Sequence, residues 1–256
     1  MDQLELFQQE VDRNIEGLAA DESLWEETLD WMHHSGVHKY TYNFSWLGRP
    51  IIQYPQDMVA FQEIVWRVRP DLIIETGVAH GGSLMLSASL LALLDRVDEL
   101  QAAPDTVRTQ RKVLGIDIDI REHNRKEILA HPLSPYIQLI QGSSIASDIV
   151  EQVTSIASGY QCVLVCLDSD HTCEHVLREL FAYAPLVTSG SYCIVYDTVV
   201  EYMRPEFRTD RSWGPGNSPL TALQMYLADH AGWAMDRAID QKLQITVARC
   251  GFLRKL

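Results

Sequence analysis

The sequence predicts an α/β fold built on a mostly parallel seven-stranded sheet, with helices on both faces and a closing antiparallel hairpin. From residue 71 onward, short apolar runs alternate with helix-like stretches, a pattern typical of parallel strands joined by crossover helices. Two last apolar runs, separated by a short polar link, predict the hairpin. The predicted strands are Leu72–Glu75, Val113–Asp117, Tyr136–Ile140, Val163–Leu167, Tyr192–Tyr196, Trp233–Arg237 and Leu243–Ala248.

Apolar residues at helical spacing predict helices between these strands. The predicted helices are Gly82–Leu94, Arg121–Ala130, Ser144–Ser158, His171–Ala184 and one from Ser218 or Pro219 to about His230. Two stretches lack a regular pattern. Residues 95–112 are charged and predict a surface insertion, and residues 198–217 predict a long loop, which is usually a lid or a binding loop.

The first 56 residues differ from the rest, and we predict that they form an arm or cap on a catalytic domain of residues 57–256. Residues 1–34 have apolar side chains at helical spacing, and residues 35–55 are rich in aromatic side chains. The aromatic stretch suits an arm packed on the core or on another subunit, which favours a homo-oligomer. It equally suits a flap over a substrate, because aromatic rings supply large contact areas.

Composition restricts the partners and the compartment. The formal net charge of −14 argues against nucleic acid, because binding to a phosphate backbone depends on clustered lysine and arginine. No apolar run approaches the roughly 20 residues of a membrane-spanning helix, and the start MDQLELFQQEVD does not resemble a secretory signal. We therefore expect a cytoplasmic protein without a membrane partner. The five cysteines form no Cys-x-x-Cys pair and are expected to be reduced.

Acidic side chains follow two of the predicted strands. The fourth strand leads into Asp168, Asp170 and His171, and the fifth leads into Asp197. Ligands bind at the carboxyl ends of strands in open α/β sheets, and carboxylates there are costly to desolvate unless they are paired. We predict that Asp168 and Asp197 hold a divalent cation. His171 is the predicted general base, since its reference pKa near 6.5 suits proton transfer near neutral pH, and Asp170 is the alternative base.

The turn after the first strand reads ETGVAHGGS, from Glu75 to Ser83. Gly77 permits a tight turn, and Gly81 or Gly82 lets a ligand approach the backbone at a helix N-terminus. The turn is neither a GxGxxG motif nor a P-loop, and a plain tight turn is the alternative. Because Glu75 would repel a pyrophosphate and attract an ammonium group, we predict that the turn, including Ser83, binds the cationic part of a cofactor.

Polar side chains after the second and third strands predict a nucleoside site. Asp117 lies where dinucleotide-binding folds bond the ribose hydroxyls, with Asp119 as a second choice, and Ser143 and Ser144 lie where an adenine would bind. A solvated strand-end acid is the plainer interpretation of Asp117. Together with Glu75, these residues favour S-adenosylmethionine, which has an adenine, a ribose diol, a sulfonium and an amino-acid end. NAD fits less well, because Glu75 would face its phosphates.

Longer segments resemble the cephalosporin hydroxylase family, which also contains rhamnosyl and other sugar O-methyltransferases. The matching segments are PDLIIETGVAHGGS, VLGIDIDIREHNR, LDSDHTCEHVLRELFAYAPLVTSGSYCIVYDT, RSWGPGNSPLTAL and KLQITVA, and the resemblance spans about residues 40–252. It implies a Rossmann-like class I methyltransferase fold with S-adenosylmethionine as cofactor, often with magnesium. It also implies an enzyme that methylates a hydroxyl of a small-molecule acceptor, either a sugar or a polyhydroxylated natural product.

The resemblance also implies roles for individual residues. In relatives of this kind, an acid after the fourth strand and two adjacent acids after the fifth hold the metal. Asp168 and Asp197 match two of these positions, whereas Tyr196 stands where relatives usually have an acid. Two carboxylates could still hold Mg²⁺, which keeps several waters in many sites. Asp168 is also expected to contact the cofactor, and His171 matches the base of related sugar methyltransferases.

Three other interpretations stay open. The family name allows a hydroxylase component of secondary metabolism, although the sequence lacks an obvious His-x-Asp triad for iron. A non-catalytic nucleotide-binding partner is another class. The segment from His171 to His175, HTCEH, also matches the HxxEH pattern of zinc peptidases, in which two histidines share a helix face. Here the pattern begins just after a parallel strand of a nucleoside-binding fold, which argues against a peptidase.

Overall fold

The computed structural model describes residues 2–101, 110–204 and 211–256. Its strands are β1 (Phe44–Trp46), β2 (Arg49–Ile51), β3 (Leu72–Thr76), β4 (Lys112–Asp117), β5 (Ile137–Gln141), β6 (Val163–Leu167), β7 (Tyr192–Val195), β8 (Trp233–Met235) and β9 (Phe252–Lys255). Its helices are α1 (Gln3–Ala20), α2 (Glu22–Val37), α3 (Pro55–Val68), α4 (Gly82–Gln101), α5 (Glu122–Ala130), α6 (Ser147–Ala157), α7 (Cys173–Tyr183), α8 (Pro219–Asp229) and α9 (Arg237–Leu243).

Strands β3 to β9 form one sheet in the order β5-β4-β3-β6-β7-β9-β8. The pairs among β3 to β7 are parallel, and β9 runs antiparallel to both β7 and β8. This confirms the predicted mostly parallel sheet with a closing antiparallel hairpin. The strand order reverses between β3 and β6, and ligands of open α/β sheets bind at such a switch point.

Helices cover both faces of the sheet, as predicted. Alternate residues of a strand point to opposite faces. Ile73 of β3 packs in one buried cluster with residues of α3 and α4, whereas its neighbours Leu72 and Ile74 pack with residues of α6, α7 and α8. Burial on both faces explains why the central strands are continuous apolar runs.

The predicted N-terminal helical region consists of two helices, because Asp21 ends α1 and caps α2. Its side chain accepts a hydrogen bond from the N–H of Leu24 at 3.0 Å. The aromatic stretch that follows contains the β1–β2 hairpin, which was not predicted. Leu47 and Gly48 at its tip have φ values of +46° and +86°, which is typical of the two-residue turn that matches strand twist.

The β1–β2 hairpin packs against the start of α4. A Cβ atom on Gly82 would lie 2.2 Å from the carbonyl oxygen of Pro50, so a side chain at this position would prevent the contact. The indole N–H of Trp46 donates to Ser89 Oγ at 3.0 Å. Other rings of the arm and of α2 pack on one another, namely Trp31, Tyr40, Phe44 and Tyr54.

The predicted strand Leu243–Ala248 is wrong. Helix α9 ends at the first of these residues, and the chain is then irregular until β9, which is the last strand of the sheet. The physical reason is a buried acid on another element. Asp57 of α3 accepts hydrogen bonds from Thr246 Oγ1 and from the N–H of Val247, the latter at 3.0 Å. These bonds hold the segment away from the sheet despite its strand-like composition.

Two stretches predicted to be irregular are only partly so. In the predicted insertion 95–112, helix α4 continues well beyond its expected end, and residues 102–109 lie outside the described residues. The predicted loop 198–217 begins with a short 3₁₀ helix, Thr198–Tyr202, and residues 205–210 lie outside the described residues. Within the described ranges, no helix combines the length and apolarity needed to cross a membrane.

The glycine turn after β3 lies directly against the end of β6. Gly77 has a φ of +91°, and a Cβ atom there would lie 2.1 Å from the carbonyl oxygen of Asp168. Its N–H donates to the carbonyl of Ile116 at 2.8 Å. Glycine is therefore required at position 77 both for its backbone conformation and for the closeness of the second strand end.

We expect Thr246→Val to lower the free energy of unfolding by about 3 kcal/mol, because it leaves buried Asp57 without its hydroxyl donor and the N–H of Ala248 without its acceptor. Thr246→Ser keeps the hydroxyl and should cost only about 1 kcal/mol for the missing methyl group. Urea denaturation followed by circular dichroism measures both losses. A valine variant as stable as the serine variant would contradict the role of this bond.

Gly77→Ala should destabilise the protein more than Gly190→Ala. Gly190 also has a positive φ, +81°, but a Cβ atom there would meet nothing within 4 Å. The Gly190 variant should lose about 1–2 kcal/mol for the left-handed backbone. The Gly77 variant should lose about 1–3 kcal/mol more, because its methyl group collides with the backbone of Asp168. Equal losses in thermal or urea unfolding would show that the two strand ends are not in tight contact.

Candidate active site

Two neighbouring strands bring acidic side chains to one point at the carboxyl edge of the sheet. Strands β6 and β7 pair in parallel, with Leu167 opposite Val195, so Asp168 comes one residue and Asp197 two residues after this pair, at the same edge of the sheet. Ligand atoms of Asp168, His171 and Asp197 all lie within 4.8 Å of one another. The structure thus brings together both predicted metal ligands and the predicted base.

The imidazole of His171 is held from two sides. Its Nδ1 atom is 3.4 Å from Asp197 Oδ2, and its ring lies edge-on to Trp213 with centroids 5.5 Å apart. His171 precedes α7, which begins at Cys173 rather than at the predicted position. His171 therefore lies in the loop between β6 and α7, not on a helix face.

Asp170, the alternative base, is already engaged by its own loop. Its Oδ1 atom accepts hydrogen bonds from the N–H and the hydroxyl of Thr172, at 2.8 and 2.6 Å. Partial burial acts to raise the pKa of Asp170, but these hydrogen bonds prevail and lower it below the usual value. A carboxylate with a lowered pKa is a weaker proton acceptor.

The acids near the cluster have unfavourable surroundings for negative charge. Burial, together with the negative charges of Asp197 and Glu75, raises the pKa of Asp168 well above its ordinary value. Glu75 is only 4% exposed, and burial raises its pKa to about 7 although Ser83 Oγ donates a hydrogen bond to it. An added cation would reverse this, because a nearby positive charge favours the charged form of a carboxyl group.

A cavity of about 360 Å³, here called the first cavity, lies beside the acidic cluster. The glycine turn, the ends of β6 and β7 and the N-terminal arm all contribute to its lining. It contains all three residues of the cluster, and its other lining residues include Thr41, Gln53, Gly77, Ser83, Arg211 and Trp213. The predicted base and metal ligands thus face a space large enough for a small molecule.

A second cavity of about 300 Å³ adjoins the first at Gly77 and Ser169, which line both. The residues predicted to bind a nucleoside, Asp117, Ser143 and Ser144, line this second cavity. The two cavities therefore offer adjacent places for a nucleoside and for the group that it carries.

Asp117 also braces the glycine turn. Its Oδ2 atom accepts hydrogen bonds from the N–H groups of Val78 and Ala79, at 2.8 and 3.2 Å, and its Oδ1 atom accepts one from the N–H of Asp119 at 2.9 Å. Ala79 has a φ of +44°, which is uncommon for a residue other than glycine. The turn is thus held in a specific shape by the acid at the end of the next strand.

Two predicted cofactor residues line neither cavity. Gly81 packs against α5, where a Cβ atom would lie 2.5 Å from Ile128 Cδ1. Glu75 faces a small internal space of about 10 Å³, which Asp57 and Tyr196 also line. Tyr196, at the position where relatives usually have an acid, is thus buried in the interior at 8% exposure.

Several residues that line the cavities were not predicted, and four of them are polar side chains that share a cavity with predicted site residues. Thr41 and Gln53 come from the arm and line the first cavity, Ser169 lines both cavities, and His175 lines the second. Ser169 and His175 could have been predicted, because they lie within seven residues of Asp168 at the same strand end. The arm was predicted either to pack on the core or another subunit or to cover a substrate, but an irregular segment gives no signal for individual residues such as Thr41 and Gln53.

The zinc-peptidase alternative is contradicted by the structure. His171 lies in the loop before α7 and lines the first cavity, whereas His175 lies in the first turn of α7 and lines the second. The two rings therefore share no helix face. Among the residues that the structure describes, the group with metal-ligand spacing is Asp168, His171 and Asp197.

Sequence comparisons identify the family. The family model described as Rhamnosyl O-methyltransferase/CmcI matches residues 38–256. The chain is 28% identical to the rhamnosyl O-methyltransferase of Mycobacterium leprae over 236 residues, which cover 91% of this chain and 90% of that protein. It is also 28% identical to the rhamnosyl O-methyltransferase of Mycobacterium tuberculosis over 226 residues, which cover 84% of this chain and 82% of that protein.

Solved structures share the fold. A CmcI structure with magnesium and S-adenosylmethionine has a TM-score of 0.55 at 19% identity, over 84% of this chain and 77% of that one. A CmcI structure with S-adenosylhomocysteine has a TM-score of 0.51 at 18% identity, over 84% and 82%. The predicted fold class and family are confirmed, and the chain therefore belongs to the rhamnosyl O-methyltransferase/CmcI family of S-adenosylmethionine-dependent O-methyltransferases, with the class I methyltransferase fold.

Proposed function

We propose that this chain methylates a hydroxyl of a sugar or polyhydroxylated natural product, using S-adenosylmethionine, His171 as general base and Mg²⁺ held by Asp168 and Asp197. The observation that carries the proposal is the meeting of these three side chains within 4.8 Å at the first cavity. The carboxyl edge of the sheet then holds a base for the proton, ligands for a cation and space for the molecule to be methylated. The name of the relatives, rhamnosyl O-methyltransferase, supports a sugar hydroxyl as the acceptor.

The residues around the two cavities fit S-adenosylmethionine. Asp117, Ser143 and Ser144 offer hydrogen-bonding groups to a nucleoside in the second cavity. Gly77, which has no side chain, lines both cavities and leaves room for a ligand that extends from one to the other. When bound, the cofactor would supply an electrophilic methyl group on a sulfonium centre. Asp168 lines the first cavity, and its negative charge favours that cation.

Asp168 and Asp197 fit a hard divalent cation. Carboxylate oxygens and water are the usual ligands of Mg²⁺, and burial with mutual repulsion raises the pKa of Asp168 when no cation is near. When bound, Mg²⁺ would lower the pKa of an acceptor hydroxyl and orient it. Because Tyr196 stands in place of a third acid, Asp168 and Asp197 would be the carboxylates that hold the ion, and water or the acceptor would have to supply the other ligands.

His171 is positioned to remove the hydroxyl proton. Its ring lines the first cavity, and Asp197 and Trp213 restrict its orientation. A general base must lie within hydrogen-bonding reach of the proton that it takes, so the acceptor hydroxyl binds beside this ring. The proton would pass to the imidazole as the hydroxyl oxygen forms its bond to the methyl carbon and the bond from that carbon to sulfur breaks, with the electron pair left on sulfur. Asp170 is less suited to this role, because Thr172 occupies its Oδ1 atom.

We further propose that residues 1–56 act as a cap over the acceptor and that residues 57–256 form the catalytic domain. Thr41 and Gln53 line the same cavity as His171, which supports an acceptor bound between the two parts. Trp213 offers an aromatic surface on the other part, and such surfaces supply large contact areas. Self-association through the arm stays a prediction.

The hydroxylase alternative has less support. Non-haem iron oxygenases use two histidines and one carboxylate with open coordination positions. The cluster found among the described residues has one histidine and two carboxylates instead. A non-catalytic nucleotide-binding partner would not need this cluster at the mouth of its ligand site.

His171→Ala should reduce kcat for methyl transfer by about 10²–10⁴-fold, which is the usual contribution of a positioned base. The dissociation constant of S-adenosylhomocysteine should change little in isothermal titration, since His171 does not line the second cavity. Asp170→Asn should retain most of the turnover, because asparagine can still cap the N–H of Thr172. If His171→Ala has normal turnover and Asp170→Asn loses it, Asp170 is the general base and His171 is not.

The cofactor has a test of its own. Wild-type protein that binds NAD but not S-adenosylhomocysteine would exclude S-adenosylmethionine as the cofactor.

Asp197→Asn should abolish methyl transfer together with its response to Mg²⁺. Asp197 has a φ of +55°, and asparagine tolerates this left-handed conformation as well as aspartate does, so the fold should be kept. Activity of the wild-type protein should fall on addition of EDTA and return with Mg²⁺. Asp148→Asn, which removes an exposed acid of α6, is the matched control and should behave as wild type. If EDTA leaves the turnover of the wild-type protein unchanged, the proposed requirement for Mg²⁺ is refuted.

A further inference from the structure

His175 has no part in the proposed chemistry, yet it lines the second cavity. It lies in the first turn of α7, with its side chain 22% exposed. Its Nε2 atom is 3.1 Å from Ser144 Oγ, 3.2 Å from Ser169 Oγ and 3.4 Å from Glu179 Oε1. Three polar groups on different segments therefore fix one nitrogen of the ring.

Glu179 is the buried end of this arrangement. Its side chain is 0% exposed, and its Oε1 atom accepts a hydrogen bond from Ser169 Oγ at 2.6 Å. Its Oε2 atom is buried and has no hydrogen-bond partner in the described part of the chain. A buried polar atom without a partner is unusual in folded proteins and calls for a reason other than packing. The other carboxyl oxygen, Oε1, is the one that accepts from Ser169 and lies beside His175, so the buried side chain is tied to the wall of the ligand cavity.

The contacts of His175 determine which ring nitrogen carries the proton. Ser169 Oγ donates its proton to Glu179 and can therefore only accept from the ring, which makes Nε2 the protonated nitrogen. In the neutral ring, Nδ1 then has a free lone pair and acts as an acceptor. The hydrogen bonds of this ring within residues 2–101, 110–204 and 211–256 all use Nε2. Nδ1 is therefore available to a ligand in the second cavity.

We propose that Nδ1 of His175 accepts a hydrogen bond from the exocyclic amino group of the cofactor's adenine, with Glu179 as the positioning residue for the ring. This inference rests on the proposed function, which puts the adenosyl group in the second cavity. Adenine presents an amino donor at this edge, whereas hypoxanthine presents a carbonyl oxygen at the same position. The arrangement thus selects an adenosyl ligand over an inosyl ligand.

The charged groups around His175 make this selection dependent on pH. The hydrogen bond with Glu179 raises the pKa of His175 above its ordinary value, partial burial opposes this, Asp170 adds to it and Arg178 reduces it. Asp117 lines the same cavity. Protonation converts Nδ1 from an acceptor into a donor, which no longer matches the amino group. Affinity for the adenosyl ligand should therefore be highest above this pKa and fall as the pH falls through it.

Isothermal titration of the full chain with S-adenosylhomocysteine and S-inosylhomocysteine tests the inference. Near pH 8, the wild-type chain should prefer the adenosyl ligand by about tenfold, the scale of one net hydrogen bond. His175→Ala should lose most of this preference. His175→Asn places an amide oxygen near the position of Nδ1, so it should keep the preference and lose the pH dependence. Glu179→Gln should move the pH midpoint of binding downward, because the carboxyl group that raises the pKa of His175 is gone.

The outcomes separate this inference from the proposed function. His123→Ala, which removes an exposed histidine of α5, is the matched control and should equal the wild type in preference and pH profile. If the wild-type chain binds neither ligand, the proposed function fails and the inference fails with it. If it binds S-adenosylhomocysteine and His175→Ala has an unchanged preference, only the inference fails. The ratio of the two affinities is insensitive to partial unfolding, which weakens both equally.

Discussion

The active site depends on how closely the turn after β3 approaches the end of β6. The carbonyl oxygen of Asp168 occupies the space in which a side chain at Gly77 would begin. Because β3 and β6 are hydrogen-bonded neighbours where the strand order reverses, this approach lets Gly77 and Ser169 form a wall common to both cavities. A bulkier turn would fill this wall and separate the place for a nucleoside from the acids at the next strand end. The two cavities and the acidic cluster thus meet because of one backbone contact.

The acids around this contact have different properties because their partners differ. Asp57 and Glu75 are buried, and the pKa of each is raised to about 7 by that burial. Asp170 is also partly buried, but its bonds to Thr172 outweigh this and lower its pKa. Asp168 is raised furthest, because burial and the negative charges of Asp197 and Glu75 all act to raise its pKa well above normal. A strand-end acid in a sequence therefore indicates a position, and its chemistry is determined by the groups around it.

Much of this arrangement could be predicted from the sequence, because apolar runs mark the central strands and the residue after each run lies at the sheet edge. That rule predicts Asp168 and Asp197 near one another, and their ligand atoms do lie within 4.8 Å. It failed at Leu243–Ala248, where the deciding partner, Asp57, is 189 residues away from Thr246. No periodic pattern contains such information. The closeness of His175 to Asp168 in the sequence indicates the same strand end, but a polar residue in a first helical turn does not reveal which cavity it faces.

Asp197 combines two requirements that few side chains meet together. Its left-handed backbone is open mainly to glycine, asparagine and aspartate, and of these only aspartate carries a charge. Glutamate would supply the charge but does not tolerate this backbone conformation as well. Asp197→Glu, usually regarded as a conservative exchange, would therefore not be conservative here. The residue found here can therefore serve as a diagnostic among related chains. Glycine or asparagine would mark a protein that keeps the architecture but lacks the carboxylate proposed here to hold a cation.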